Sequence, residues 1–223
     1  MDKKALGKMF DHTLLKATAV PDEIETICAE AIKIGAASVC VNPTNVRQAA
    51  KLLEGSEVKV CTVVGFPLGA STSKAKAFET TDAIEKGAQE IDMVINIGQL
   101  LAGNYAEVVD DIRAVVTAAN GKLVKVIIET CYLTDPQKVM ACKAAAEAGA
   151  NFVKTSTGFG TGGATVHDVA LMKASIPKEM HVKASGGIRT WEQASAVIEA
   201  GAERLGVSAS MAILDSFEKS KNQ

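Results

Sequence analysis

Histidine is scarce in this chain of 223 residues: His12, His167 and His181 stand far apart, with no His-x-His or His-Glu-x-x-His arrangement. The spacing that a zinc or similar metal site requires is therefore missing, and neither a metal nor a cofactor is expected. The five cysteines, Cys28, Cys40, Cys61, Cys131 and Cys142, are odd in number and never spaced Cys-x-x-Cys. That excludes a disulfide framework or zinc ribbon and points to reduced, buried small hydrophobes. Charge of one sign is not concentrated anywhere: 24 Lys and Arg are interspersed with 26 Asp and Glu, for a net charge of −2. No basic face is set aside for nucleic acid or acidic lipid. No apolar stretch approaches the roughly 20 residues that span a bilayer. The first ten residues, Met1 to Phe10, are charged and lack the apolar core of a secretion signal, so a cytoplasmic location is expected.

What is present is apolar material, 48% of the residues, in a repeating order. Short β-branched runs predict strands at Phe10–Thr13, Ala37–Val41, Val58–Val64, Glu90–Ile95, Leu123–Ile128, Ala150–Thr155, His181–Ala184 and Arg204–Val207. Amphipathic stretches between them predict helices at Pro21–Ile34, Asn45–Leu53, Ser73–Lys86, Tyr105–Ala119, Asp135–Ala148, Thr165–Ala174 and Trp191–Ala200, with a last one after Ser208. Four of these end in a glycine followed by alanine, Gly35, Gly87, Gly149 and Gly201, suited to a left-handed helix end. Strict alternation and this repeated punctuation predict a parallel α/β fold, a single (β/α)8 barrel over residues 1–223. Polar residues gather where each strand ends, and in a barrel those ends meet at one mouth.

Three residues interrupt apolar strands in a way that suggests chemistry. Lys154, in Asn-Phe-Val-Lys-Thr-Ser, lies in a strand covered on both faces, where burial penalises the ammonium and favours the neutral amine that attacks a carbonyl. A lysine at a strand tip can also simply snorkel to water. Lys183 takes the corresponding place in the next strand, about 4.8 Å away by ordinary strand spacing. Two inward lysines side by side suit imine chemistry, the other reading being that both bind phosphate. Asp92, inside Glu-Ile-Asp-Met-Val-Ile-Asn, needs a cationic partner if it is buried and finds one in either lysine. Phosphate binding is expected from Ser185-Gly186-Gly187-Ile188-Arg189 and Gly206-Val207-Ser208, in the two loops where barrels hold phosphate. With Thr155 and Gly158 these complete the expected substrate-binding set. Gly158-Phe-Gly160-Thr-Gly-Gly163 fits a dinucleotide fingerprint, but the next strand carries Lys183 where an acid is needed, so the loop reads as a lid over Lys154.

These residues resemble those of the deoxyribose-phosphate aldolase family, class I aldolases with a barrel fold. The matching segments include Asp11-His-Thr-Leu-Leu15, Val39-Cys-Val-Asn-Pro43, Val64-Gly-Phe-Pro-Leu-Gly69, Phe152-Val-Lys-Thr-Ser-Thr-Gly158 and Val182-Lys-Ala-Ser-Gly-Gly-Ile-Arg-Thr190. The resemblance implies reversible cleavage of 2-deoxy-D-ribose 5-phosphate to D-glyceraldehyde 3-phosphate and acetaldehyde. It implies Lys154 as the Schiff-base lysine, Lys183 as its second lysine, Asp92 as a proton relay, and Gly186, Gly187 and Ser208 as phosphate contacts. Two departures stand out: Phe159 where longer members have a lysine, and a tail, Glu218 to Gln223, without the tyrosine that ends some of them. The expected partners are a small phosphorylated sugar and acetaldehyde, with no nucleic acid and no membrane; assembly as a homodimer or homotetramer stays open. Other readings are a different Schiff-base barrel enzyme, of the transaldolase or dehydratase kind, and a non-catalytic phosphosugar-binding barrel.

Overall fold

Eight parallel strands close on themselves in the computed structural model, which describes residues 1–221. The strands are β1 (Phe10–Leu14), β2 (Ser38–Val41), β3 (Lys59–Val64), β4 (Glu90–Val94), β5 (Leu123–Ile127), β6 (Phe152–Lys154), β7 (His181–Ser185) and β8 (Arg204–Val207). They pair in sequence order, and β1 closes the ring against β8 with Asp11 opposite Gly206. The helices are α1 (Lys3–Gly7), α2 (Pro21–Ile34), α3 (Val46–Leu52), α4 (Ser73–Glu85), α5 (Ile97–Leu101), α6 (Tyr105–Ala118), α7 (Asp135–Glu147), α8 (Val166–Ser175), α9 (Trp191–Glu199) and α10 (Ser210–Lys221). The expected (β/α)8 architecture is thus what the chain adopts. Asn222 and Gln223, the last two residues of the tail, lie outside the described residues.

Local chemistry explains where the elements begin and end. Thr72, Thr165 and Thr190 accept backbone N–H bonds at the starts of α4, α8 and α9, and a proline opens α2. All four helix-ending glycines have the positive φ expected of them, from 65° at Gly35 to 115° at Gly201. Short helices α1 and α5 escaped the sequence analysis, because five residues are too few to show helical periodicity. Among the described residues no helix is long and apolar enough to cross a membrane.

Alternation along the strands divides the apolar residues between two cores. Ile91, Met93, Val153 and Val182 face the helices and join Ile112, Val115, Ile213 and others in one large cluster. Leu15, Cys40, Cys61 and Val63 form a small separate cluster inside the barrel, with Phe66 packed against it. The same inward faces carry a group of charged residues.

One buried ion pair outside the barrel holds the end of β4. The fully buried Lys76 of α4 donates to Asp111 of α6 at 2.6 Å and to the carbonyl of Val94 at 2.8 Å, while Ser73 donates to the other Asp111 oxygen at 3.0 Å. Burial lowers the Lys76 pKa more than the Asp111 carboxylate restores it, so this ammonium depends on its partner. Asp111→Ala is expected to cost about 3–5 kcal/mol of stability, the penalty for stranding a buried charge. Replacing both, Lys76→Met with Asp111→Leu, should cost clearly less. Denaturant unfolding of the two variants measures the difference, and equal losses would show that the pair contributes only packing.

Candidate active site

Inward positions on six strands carry charge. Residues two apart share a strand face, so Glu90 and Asp92 of β4 point inward together, alongside Lys125 of β5, Lys154 of β6, Lys183 of β7, Arg204 of β8 and Asp11 of β1. Asp92 is the hub. One of its oxygens accepts bonds from Lys154 at 2.8 Å and from Lys183 at 2.7 Å; the other accepts from Lys125 at 2.9 Å and from the Cys61 thiol at 3.2 Å. Lys154 and Lys183 are direct register partners, so the structure places the two lysines side by side with a carboxylate between them. Lys183 reaches Asp11 at 2.5 Å, and Lys125 reaches Glu90 at 2.6 Å. Arg204 bonds both Asp11 and Glu90.

Room for Lys183 comes from Gly206, where a Cβ would lie 2.9 Å from the lysine Cε. A side chain on the neighbouring strand would push the ammonium off Asp92.

Among the described residues this network sets three carboxylates, Asp11, Glu90 and Asp92, against four cations, Lys125, Lys154, Lys183 and Arg204. One positive charge is in surplus. Burial opposes ionisation of Asp92, yet the ammonium groups of Lys125, Lys154 and Lys183 outweigh it and hold the carboxyl well below the usual range. Burial likewise opposes charge on Lys183, but Asp11 and Asp92 prevail and raise it above an ordinary lysine. Lys125 is raised well above by Asp92, Cys61, Asp11 and Glu90, again against burial. Lys154 is the lysine of this set that borders the mouth cavity.

The mouth cavity, of about 510 Å3, opens at the carboxyl ends of the strands. With Lys154 it is lined by Gly158, Gly186, Gly187, Arg189, Gly206 and Ser208, so six of the seven expected binding residues come together. Asp92 and Lys183 lie beneath it, fully buried. Thr155 does not border it: its hydroxyl donates to the Ser185 carbonyl at 3.1 Å and accepts the Ser185 N–H at 3.0 Å, joining β6 to β7. Gly186 and Gly187 have φ of 86° and 81°, a backbone that side chains resist. That loop leads into α9, while the loop after β8 leads into α10, whose first residue, Ser210, bonds His12 at 2.9 Å; His12 in turn meets Glu30 of α2 at 2.8 Å. A second cavity of about 510 Å3 at the opposite end of the barrel contains Glu90 and Arg204 but neither Lys154 nor Lys183.

The glycine-rich loop after β6 is packed rather than open along much of its length. A Cβ at Gly163 would lie 2.3 Å from the Gly186 carbonyl, and one at Gly160 or Gly162 would lie 3.0 Å from Cys131. Close packing against the Gly186 backbone and the Cys131 side chain accounts for Gly160, Gly162 and Gly163. Phe159 stands edge-on to Phe66 with ring centroids 5.3 Å apart and borders the cavity. Glu129 holds the start of this loop through the Thr157 hydroxyl and N–H.

Two groups of potential metal donors occur among the described residues, and lysine ammonium groups stand in both. Cys40, Cys61 and Asp92 surround the hub just described, and Asp135, His167 and Asp168 are bridged by Lys138, at 3.0 Å from Asp135 and 2.6 Å from Asp168. The sequence analysis missed Lys125, Glu90 and Arg204 as members of the network. The signal for Lys125 was available: it interrupts Leu123-Val-Lys-Val-Ile127 just as Asp92 interrupts its own strand.

The family model described as DeoC/LacD family aldolase matches residues 5–216. A deoxyribose-phosphate aldolase of Clostridium perfringens is 62% identical over 216 residues, 96% of each chain. One from Carboxydothermus hydrogenoformans is 59% identical over 213 residues, covering 94% of this chain and 93% of the other. Among solved structures, the tetrameric deoxyribose phosphate aldolase of Aeropyrum pernix superposes with a TM-score of 0.91 at 32% identity, over 97% of this chain and 92% of that one. A closed eight-stranded barrel with paired lysines at its mouth, matched over nearly its whole length by these proteins, belongs to the DeoC/LacD family of aldolases, enzymes of the lyase class.

Proposed function

We propose that the chain is a class I aldolase that reversibly cleaves 2-deoxy-D-ribose 5-phosphate to D-glyceraldehyde 3-phosphate and acetaldehyde through an imine on Lys154. The observation that carries this reading is the placement of Lys154 on the mouth cavity while hydrogen-bonded to the carboxylate that also holds Lys183. Lys154 is the lysine of the network that faces the cavity, where its amine, once neutral, can meet a carbonyl. The names of the relatives from Clostridium perfringens and Carboxydothermus hydrogenoformans support the same substrate.

In this mechanism the amine attacks the open-chain aldehyde and loses water to give an iminium ion, an electron sink. The proton of the C3 hydroxyl passes through water to the Asp92 and Lys183 pair, and the C2–C3 bond breaks. The electron pair of that bond neutralises the iminium as the proton arrives, so the charge balance around Asp92 is kept through the step. Glyceraldehyde 3-phosphate leaves, the enamine is protonated at C2, and hydrolysis frees acetaldehyde. Gly186, Gly187, Arg189 and Ser208 hold the phosphate at the α10 end of the mouth, with Gly158 and Gly206 along the walls. Thr155 acts by joining β6 to β7, not by touching substrate. A tetrameric relative supports assembly of this chain as a homo-oligomer, with each barrel one domain working in the cytoplasm. A transaldolase-type or dehydratase-type reaction would use the same lysine on another substrate, and a phosphosugar binder would form no imine.

Borohydride with acetaldehyde should inactivate the protein by adding an ethyl group to Lys154, found by peptide mass mapping, and EDTA should leave activity unchanged. Inactivation with Lys154 unmodified, or zinc-dependent recovery after EDTA, would overturn the mechanism. Gly187→Ala places a methyl group on a left-handed backbone facing the cavity. It should raise KM for the phosphorylated sugar by about tenfold, 1.4 kcal/mol, and barely affect unphosphorylated 2-deoxyribose. Parallel losses on both substrates would assign Gly187 to loop geometry alone.

The pH dependence tests the charge balance. Asp11 and Asp92 hold Lys183 as an ammonium, so Lys183→Leu removes one cation and leaves three carboxylates facing three cations, Lys154 now among the three. Lys154 should then keep its proton more firmly. Borohydride trapping at neutral pH should slow in the variant and recover as the pH is raised, without full turnover returning. An unshifted trapping profile would mean that Lys183 does not govern the charge of Lys154.

A further inference from the structure

Two thiols that the proposed chemistry does not use face each other inside the barrel. Cys40 of β2 and Cys61 of β3 are register partners on adjacent parallel strands, both free and both fully buried. Strand spacing sets their Cα atoms about 4.8 Å apart, within the range that a disulfide spans. Their sulfurs and an Asp92 oxygen all lie within 4.8 Å of one another. The other cysteines lie elsewhere: burial pushes the Cys28 thiol up to about 11 and the Cys142 thiol up to about 12, and Cys131 sits in the turn after β5.

The two thiols are unequal. Cys61 donates to Asp92 at 3.2 Å and accepts a bond from Lys125 at 3.5 Å. Burial, the contact with Cys40 and the Asp92 charge push it well above an ordinary thiol. Cys40 is shifted down, chiefly by the neighbouring Cys61 thiol and further by Lys183 and Lys154, against burial and the Asp92 charge. That makes Cys40 the better nucleophile. The mouth cavity lies one residue away: Thr13, the register partner of Cys40 on β1, and Leu15, packed in the same apolar cluster, both line it.

We propose that Cys40 and Cys61 form a reversible disulfide under attack by a small hydroperoxide, and that this cross-link turns the site off by withdrawing the Cys61 thiol from Asp92. The Cys40 sulfur attacks the terminal peroxide oxygen, the O–O bond breaks, and the departing alkoxide (hydroxide, for hydrogen peroxide) takes the proton that the Cys40 thiol gives up, leaving a sulfenic acid. Cys61 sulfur then attacks Cys40 sulfur; the S–O bond breaks and hydroxide departs with the Cys61 proton as water. Two thiols and one hydroperoxide thus give one disulfide, one alcohol (water, for hydrogen peroxide) and one water. Asp92 loses one of its four hydrogen-bond donors, and the Cys61 side chain is drawn toward β2. The loss of activity rests on the Asp92 and Lys154 reading above, whereas the cross-link itself does not.

The test exposes the folded protein to hydrogen peroxide, blocks remaining thiols after denaturation, and maps unreduced peptides by mass spectrometry. A Cys40–Cys61 peptide pair lacking two hydrogens is expected, together with a fall in aldol cleavage of about tenfold or more, equivalent to at least 1.4 kcal/mol in the barrier. Dithiothreitol should reverse both. The Cys61→Ala variant, compared before and after peroxide at whatever rate it has untreated, should lose little. Absence of the cross-linked pair would overturn the proposal. So would an equal loss in Cys61→Ala, which would place the damage elsewhere, or a cross-linked protein with full activity. Borohydride labelling of Lys154 in untreated protein reads the Schiff-base mechanism separately, so the two ideas fail by different measurements.

Discussion

The Asp92 carboxylate, shared by three lysines in a space without solvent, is the interaction on which the site depends. A lone carboxylate or a lone ammonium at this depth would carry a desolvation penalty of several kcal/mol, and each group here is tolerable because the others are present. Lys125 and Lys183 are held firmly as cations from below. Lys154, bonded to the same carboxylate, faces the cavity. One carboxylate thus ties a cavity-facing lysine to two lysines held as cations beneath it.

The barrel makes this arrangement affordable. Closure gives every strand two neighbours, so the backbone is satisfied by the ring and side chains alone fill the interior. The outward faces are handed over to a large apolar cluster with the helices, which supplies the burial that a charged interior cannot. Gly206 leaves space for Lys183, and the Gly163 and Gly186 backbones touch so that the loops over the mouth pack closely. The buried Lys76 and Asp111 pair repeats the same logic outside the barrel, bonding the β4 carbonyl two residues beyond Asp92.

Much of this was legible in the residue order. Helix α2 runs from Pro21 to Ile34 as periodicity and the opening proline indicate, and the strand boundaries shift by two residues at most. Lys154, Lys183 and Asp92 stood out because each breaks an apolar run. Charged residues nearer the strand starts, Glu90 and Arg204, resemble ordinary solvated strand edges until the barrel closes over them. Thr155 looked like a ligand by its nearness to Lys154, but strand alternation turns its side chain away from the cavity, and its hydroxyl serves the Ser185 backbone.

By itself the sequence determined the number and order of the strands and of the longer helices, the parity that sends Asp92, Lys154 and Lys183 to one face, and the glycines at the turns, because these follow from short-range sterics and alternation along one segment. The tertiary structure decided which charges meet. Asp11 and Arg204 are 193 residues apart, Lys183 and Asp92 are 91 apart, and Cys61 reaches Asp92 across 31 residues. Those contacts depend on the stagger with which eight strands close into a ring, a property of the whole barrel that no single segment contains.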